Sequence, residues 1–145
     1  MCVIRVTGQQ VLDALEWGAR AVPSENGGFL QVSGLTYEIH TGVASSAEKD
    51  ENGMFTRVSG EYRVKNVMVG GQPLELDKTY TLASHNYMLL GHGDGYTMFD
   101  GCEVLGEDMM VDNQVLITYI TTTLGGVVGE QYANPYGDGR IVAVE

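Results

Sequence analysis

The segment that follows the β-like run at residues 80–84 constrains this chain most, because three glycines stand within residues 91–95. Glycine adopts positive φ and lets other groups approach the backbone closely, so the strand must end here in a tight loop. Asp94 lies in the middle of that loop, and Tyr96 follows it. A carboxylate that accepts two hydroxyl hydrogen bonds, beside flat aromatic surfaces, suits a ligand that joins a sugar to a ring. The same composition also fits an ordinary turn between strands.

Length and charge set limits on the possible function. The chain has 145 residues, the size of one domain, and a net charge of −11 with only eight Lys and Arg. Non-specific binding to nucleic acid or to an anionic membrane needs a basic face, so both are disfavoured. No apolar run is long enough to span a bilayer, and no basic-then-apolar leader is present. Cys2 and Cys102 allow one disulfide at most.

Residue patterns predict two main helices. Thr7 and Gln10 form a capping box ahead of the first helix, which should end before Pro23. Asp112 is predicted to cap the second helix, and the glycines at 125–126 should end it. An apolar stripe on this second helix comprises Val115, Leu116, Tyr119, Ile120 and Leu124.

Strands are predicted between the helices and at both ends of the chain. Apolar or alternating patterns place them at residues 2–6, 29–32, 35–40, 62–69, 79–84 and 140–144. Residues 41–53 are polar and small, so we expect a mobile surface loop there. Helices and strands do not alternate strictly, which favours an α+β fold with a mixed sheet in a single domain, residues 1–145.

Catalytic machinery is not evident. His40, His85 and His92 are too sparse for a two-metal site, and metal binding around His92 and Asp94 needs more ligands than the loop supplies. No zinc-finger spacing and no P-loop lysine occur. The residues therefore indicate recognition chemistry rather than bond-breaking chemistry, and we expect no metal, no cofactor and no independent catalysis in this domain.

Four segments together resemble the C-terminal domain of the 5′-nucleotidase family, which includes UDP-sugar hydrolases and 2′,3′-cyclic nucleotide phosphodiesterases. They are Val-Ile-Arg-Val-Thr-Gly at 3–8, Gly-Phe-Leu-Gln-Val-Ser-Gly at 28–34, residues 80–86 leading to Gly-Asp-Gly-Tyr at 93–96, and Gly-Arg-Ile at 139–141. Their order and spacing agree over nearly all of the chain. The pairing of the second and third segments is the most specific part of the resemblance.

The resemblance implies that this domain binds a nucleoside. In the family, the Asp of Gly-Asp-Gly holds the ribose hydroxyls, which maps onto Asp94. A Phe six residues earlier stacks on the base, and that position is Met88 here, with Tyr87 beside it as a possible substitute. His92 replaces a family glycine. The predicted substrate-binding residues are Asn86, Tyr87, Met88, Gly93, Asp94, Gly95 and Tyr96.

The resemblance also implies a larger parent protein. We expect an N-terminal metallophosphoesterase domain with two divalent metal ions, to which this domain delivers a nucleotide, in a bacterial hydrolase that is extracellular, in the cell wall or periplasmic. One alternative is a stand-alone nucleoside- or carbohydrate-binding module. Another is a protein-interaction domain with a contact patch of Met88, Tyr96, Met98 and Phe99, although Met98 and Phe99 are residue types that are usually buried.

Overall fold

The computed structural model describes residues 1–145 and contains nine strands and three α-helices. The strands are β1 (Cys2–Thr7), β2 (Leu35–His40), β3 (Ala47–Lys49), β4 (Phe55–Val58), β5 (Val64–Val69), β6 (Gln72–Pro73), β7 (Thr79–Ser84), β8 (Glu103–Gly106) and β9 (Ile141–Val144). The helices are α1 (Gly8–Ala19), α2 (Asn86–Leu89) and α3 (Asp112–Thr118), and α3 continues into a π-helical turn at Tyr119–Thr123. Short 3₁₀ turns lie at Gly93–Gly95, Thr97–Phe99 and Glu130–Tyr132.

The strands form two sheets and a hairpin. The first sheet has the order β7-β1-β8, and its pairs are antiparallel. The second has the order β6-β5-β2-β9 and is mixed, because β9 runs parallel to β2 while the other pairs are antiparallel. The strands β3 and β4 pair separately. Mixed sheets with few helices confirm the predicted α+β class.

The first helix, α1, links the two sheets. It begins as predicted, because the Gln10 amide donates to the Thr7 hydroxyl at 3.2 Å and the Gln10 side chain accepts from the Thr7 amide at 2.8 Å. It ends at Ala19, before Pro23. The helix contacts β1 of the first sheet and β5 of the second. Its buried residues, Trp17 among them, join both sheets into one hydrophobic core.

A buried carboxylate and a buried guanidinium lie within this core. Glu16 is fully buried, and one of its carboxylate oxygens accepts a hydrogen bond from the Val64 amide at 2.9 Å. Burial raises the pKa of Glu16, against the opposing effect of that hydrogen bond. Arg63 donates to the carbonyl oxygens of Ala19 and Val22, at 3.2 and 2.9 Å. Both side chains therefore connect the end of α1 to the start of β5.

The strand prediction for residues 29–32 is wrong. These residues have no regular structure, because side chains rather than a neighbouring strand occupy the carbonyl groups at both ends of the segment. The Tyr96 hydroxyl donates to the Gly28 carbonyl, and the Arg140 guanidinium donates to the Val32 carbonyl. Leu30 and Val32 instead line a groove beside β7.

The polar segment at residues 41–53 is not entirely a loop. Residues 47–49 form one strand of the hairpin, β3, which pairs with the unpredicted strand β4. Asp50 stabilises the turn between them, because its carboxylate accepts hydrogen bonds from the amides of Asn52 and Met54 at 2.9 and 2.8 Å. Strand β8 was also not predicted; it pairs with β1.

The predicted second helix forms, but it begins and packs differently from the prediction. Its N-cap is Val111, and Asp112 is the first helical residue. No residue of α3 or of the π-helical turn is buried, so the apolar stripe faces solvent. The two glycines at 125 and 126 have positive φ and end the helix as predicted. None of the helices has the length and hydropathy that a membrane span requires.

Candidate functional site

The candidate site is built where β7 ends and the chain turns into α2. In this short helix, the neighbouring side chains of Tyr87 and Met88 point in different directions. Met88 lines the apolar groove beside β7, and its sulfur lies 4.0 Å from the Ser84 hydroxyl. Tyr87 is 62% exposed and reaches the glycine loop instead. The aromatic side chain beside Asp94 is therefore Tyr87, and the residue at the family's stacking position lies elsewhere.

The glycine loop needs its glycines for close packing. A Cβ atom at Gly93 would lie 2.2 Å from the Tyr87 ring, so that ring rests directly on the loop backbone. A Cβ atom at Gly95 would lie 2.9 Å from the Trp17 ring, and Gly95 also has a φ of +85°. His92 and Asp94 adopt positive φ too, at 53° and 55°. Aspartate tolerates this conformation better than most residues, and here it turns the Asp94 side chain outward.

The core holds Asp94 by its backbone and leaves its carboxylate exposed. The indole nitrogen of Trp17 donates to the Asp94 carbonyl oxygen at 2.9 Å. On the other side of the loop, a Cβ atom at Gly28 would come within 2.9 Å of the Asp94 Cβ. The carboxylate itself has one protein partner, the Tyr87 hydroxyl, at a long distance of 3.5 Å. Its oxygens are therefore available to donors from a ligand.

Tyr96 supports the glycine loop from the side of the hydrophobic core. It is fully buried, stacks on Phe99 with 6.3 Å between ring centres, and donates to the Gly28 carbonyl at 2.5 Å. Burial raises its pKa well above the ordinary value. The sequence suggested a flat surface beside Asp94, but this ring has no face open to a ligand. Together with Trp17, it positions the loop.

Asn86 and His92 each lie beside an acidic side chain. The Asn86 side-chain nitrogen donates to the Asp108 carboxylate at 2.7 Å, while its side-chain oxygen is buried without a partner. His92 lies 3.7 Å from the Asp100 carboxylate. The structure thus brings Tyr87, Gly93, Asp94 and Gly95 together, with Asn86 on the same short helix as Tyr87.

Two supporting residues, Trp17 and Gly28, were not predicted as part of the site. The pair of glycines at 27 and 28 was a usable signal, because a buried glycine often marks a close approach. The Trp17 hydrogen bond spans 77 residues of sequence, and no local pattern could reveal that contact.

The structure also bears on the remaining candidate sites. The structure contains no group of three or more His, Cys, Asp or Glu side chains that could hold a metal ion. Cys2 and Cys102 are both free thiols. The suggested contact patch is not exposed, because Tyr96 and Phe99 are buried and Met88 and Met98 are partly buried in the core. Burial of Phe99 agrees with its expected packing role.

Comparison with known proteins identifies the domain type. The family model described as "5′-nucleotidase, C-terminal domain" matches residues 1–101. A 5′-nucleotidase of Vibrio vulnificus is 29% identical over 115 residues, 79% of this chain and 17% of that protein. The trifunctional nucleotide phosphoesterase YfkN of Bacillus subtilis is 30% identical over 142 residues, 98% of this chain and 8% of that protein.

A solved structure agrees with these sequence matches. The 5′-nucleotidase precursor of Thermus thermophilus superimposes with a TM-score of 0.73 at 28% identity. The match covers 98% of this chain and 24% of the Thermus chain. The present chain thus spans less than a quarter of each of these three similar proteins.

Proposed function

Because this chain belongs to the 5′-nucleotidase C-terminal domain family, we propose that it is the nucleoside-recognition domain of a metal-dependent phosphohydrolase. In this proposal, a separate N-terminal metallophosphoesterase domain with two divalent cations hydrolyses the phosphate ester. The parent protein acts outside the cytoplasm, in the periplasm, the cell wall or the medium. This chain contributes binding and orientation of the nucleoside and no chemical step.

The exposed carboxylate of Asp94 is the observation that carries the proposal. Trp17 fixes the backbone of Asp94 through a hydrogen bond to its carbonyl oxygen. The carboxylate oxygens have only the distant Tyr87 hydroxyl as a protein partner. The vicinal 2′- and 3′-hydroxyls of a ribose can donate to the two carboxylate oxygens. Hydrogen bonds to a charged group are stronger than those between neutral groups, so this contact favours ribose over deoxyribose.

Tyr87 is the aromatic surface that we assign to the base. One face of its ring rests on Gly93, and the side chain is 62% exposed. The outer face is free to stack on a nucleobase beside the sugar-binding carboxylate, which lies 3.5 Å from the Tyr87 hydroxyl. Met88 has the corresponding position in the family pattern, but it lines the groove and is partly buried.

Kinetics of the parent protein test the carboxylate. Asp94→Ala should raise the KM for AMP by about 10- to 150-fold, since hydrogen bonds to a charged group contribute about 1.5–3 kcal/mol. The kcat should change little, because the reacting phosphate is bound elsewhere. Asp100→Ala removes an exposed carboxylate six residues away and serves as the control. If Asp94→Ala raises the KM equally for ribose and for 2′,3′-dideoxyribose substrates, a contact between Asp94 and the ribose diol is excluded.

A second pair of variants tests the base contact. Tyr87→Ala should raise the KM for AMP by about 5- to 150-fold, the effect of losing about 1–3 kcal/mol of base stacking. Met88→Leu should leave the KM within about 2-fold, because a volume-conserving apolar change in the groove does not touch the ligand. If Met88→Leu raises the KM for AMP more than Tyr87→Ala does, Met88 and not Tyr87 stacks on the base.

A further inference from the structure

The β3–β4 hairpin contacts the glycine loop through its turn, residues 50–54. A Cβ atom at Gly95 would lie 2.9 Å from the Gly53 carbonyl oxygen and 3.4 Å from the Met54 Cα atom. The Trp17 ring approaches the same position, also at 2.9 Å. The glycine loop therefore packs against both the hairpin turn and the first helix.

Two further contacts connect the hairpin to this part of the site. The Thr97 hydroxyl, just after the glycine loop, donates to the Phe55 carbonyl at 2.5 Å. The buried Phe55 ring meets the Trp17 ring edge to face, with 5.7 Å between ring centres. Trp17 in turn donates to the Asp94 carbonyl. The hairpin thus contacts the loop directly and also through the indole that fixes the Asp94 backbone.

The hairpin has little support from other strands. Strand β3 has three residues and β4 has four, and their register shifts between Glu48 and Lys49. Neither strand pairs with the two larger sheets. Because an isolated two-stranded hairpin is marginally stable at best in water, the geometry of this turn must come from bonds within it and from the packing of Phe55.

Asp50 makes the bonds that close the turn. Its carboxylate accepts from the amides of Asn52 and Met54, at 2.9 and 2.8 Å. Its backbone amide donates to the Met54 carbonyl at 2.9 Å, and its carbonyl accepts from the Gly53 amide at 3.1 Å. The hydrogen bond from the Met54 amide lowers the pKa of the Asp50 carboxyl, so at neutral pH these bonds are charge-assisted. Both residues that approach Gly95 are therefore bonded to Asp50.

We propose that Asp50 is a positioning residue for the nucleoside site, because it fixes the hairpin turn against Gly95 and thereby the direction of the Asp94 carboxylate. Asp94 has a positive φ of 55°, and a residue other than glycine keeps that conformation only where the surrounding structure holds it. The hairpin turn is part of that surrounding structure. The effect of Asp50 on ligand binding rests on the proposed function, whereas its effect on the loop does not.

Nucleoside binding by the 145-residue chain tests the consequence for a ligand. If Asp94 holds the ribose hydroxyls, the Kd for 2′,3′-dideoxyadenosine should exceed the Kd for adenosine by at least about 10-fold. Asp50→Ala should reduce this ratio to about 3-fold or less, because a hydrogen bond weakens steeply when its donor and acceptor are displaced. Asp50→Asn should keep the ratio, since an Asn oxygen can accept from the same two amides. Glu51→Ala removes the adjacent exposed carboxylate and is the matched control.

The indole N–H of Trp17 tests the effect on the loop without a ligand. Trp17 is the single tryptophan of the chain, so its indole proton gives one assignable NMR signal, and this proton is bonded to the Asp94 carbonyl. Asp50→Ala should speed exchange of this proton with solvent by about 10-fold, because local opening of the loop becomes easier. Asp50→Asn and Glu51→Ala should leave the rate within about 2-fold of the parent, because the turn stays closed.

Exchange of the α1 backbone amides separates a displaced loop from a destabilised core, and these amides should keep their protection in all three variants. In Asp50→Ala, an unchanged rate of indole exchange or an unchanged ratio of Kd values would overturn the positioning role. Equal effects of Glu51→Ala, or an equal loss of protection across α1, would overturn it as well. If the unsubstituted chain itself binds both nucleosides equally, the proposed function fails instead, and indole exchange alone decides the role of Asp50.

Discussion

All 23 buried residues of this chain lie between Cys2 and Phe99, whereas residues 100–145 contain none. Conversely, 14 of the 16 large hydrophobic residues with high exposure lie after residue 102. The later segment does contribute two strands, because β8 pairs with β1 and β9 pairs with β2. It is therefore attached mainly by strand pairing and a few side-chain contacts, and of its hydrophobic residues only Cys102 and Ile141 pack against the core.

The difference shows which part of the chain determines the candidate site. Trp17, Gly28 and Tyr96, which position the Asp94 loop, all belong to the core-forming segment. The family match also ends near this boundary, at residue 101. The backbone geometry of the Asp94 loop should thus depend mainly on residues 1–99.

The largest expected effect compares two aromatic residues, one from each segment. Phe99→Ala removes a ring that is 3% exposed and stacked on Tyr96, and it should lower the free energy of unfolding by about 3–5 kcal/mol. Tyr136→Ala removes a ring that is 95% exposed and should change it by less than about 0.5 kcal/mol. Urea denaturation of both variants gives the two values.

The same two variants can also contradict this comparison of the core-forming segment with the exposed segment. A loss above about 1.5 kcal/mol for Tyr136→Ala would mean that the later segment shares a core with the first. A loss below that value for Phe99→Ala would mean that the ring contributes little despite its burial.

A smaller effect concerns the buried carboxylate of Glu16. Burial raises its pKa in the folded state, so the folded protein binds more protons than the unfolded protein between the unfolded and folded pKa values. The free energy of unfolding contributed by this group therefore falls as the pH rises through that interval. Glu16→Gln should remove this dependence, so that the variant gains stability relative to the parent as the pH rises above the ordinary pKa of a Glu side chain, about 4.3.

Urea denaturation of Glu16→Gln and of the parent at several pH values measures this difference. Two curves of stability against pH that stay parallel would show that the Glu16 carboxyl titrates alike in the folded and unfolded protein.

Local signals predicted the elements of the core-forming segment well. The Thr7 and Gln10 capping box marks the start of α1, and the apolar alternation of β2 and β7 matches their bounds. The prediction fails at residues 29–32, where the carbonyl partners come from Tyr96 and Arg140, more than 60 residues away. Such distant partners leave no trace in a local pattern.

The candidate site was partly predictable for a similar reason. The glycines at 91–95 predicted the loop that contains Asp94, while the role of Asp94 in binding stays a prediction. The sequence did not decide between Tyr87 and Met88, because consecutive residues of a helix differ by about 100° in direction. Only the orientation of α2 on the core decides which of the two side chains faces Asp94.

A titration of the 145-residue chain with adenosine and with 2′,3′-dideoxyadenosine, followed by amide chemical shifts, tests the central claim most directly. Half of a two-domain site should bind weakly, with a Kd for adenosine of about 1 mM, on the order of 4 kcal/mol. The shifts should centre on Tyr87 and residues 93–95, and dideoxyadenosine should bind at least about 10-fold more weakly. Equal binding of the two nucleosides, or shifts that avoid this loop, would contradict a ribose contact through Asp94.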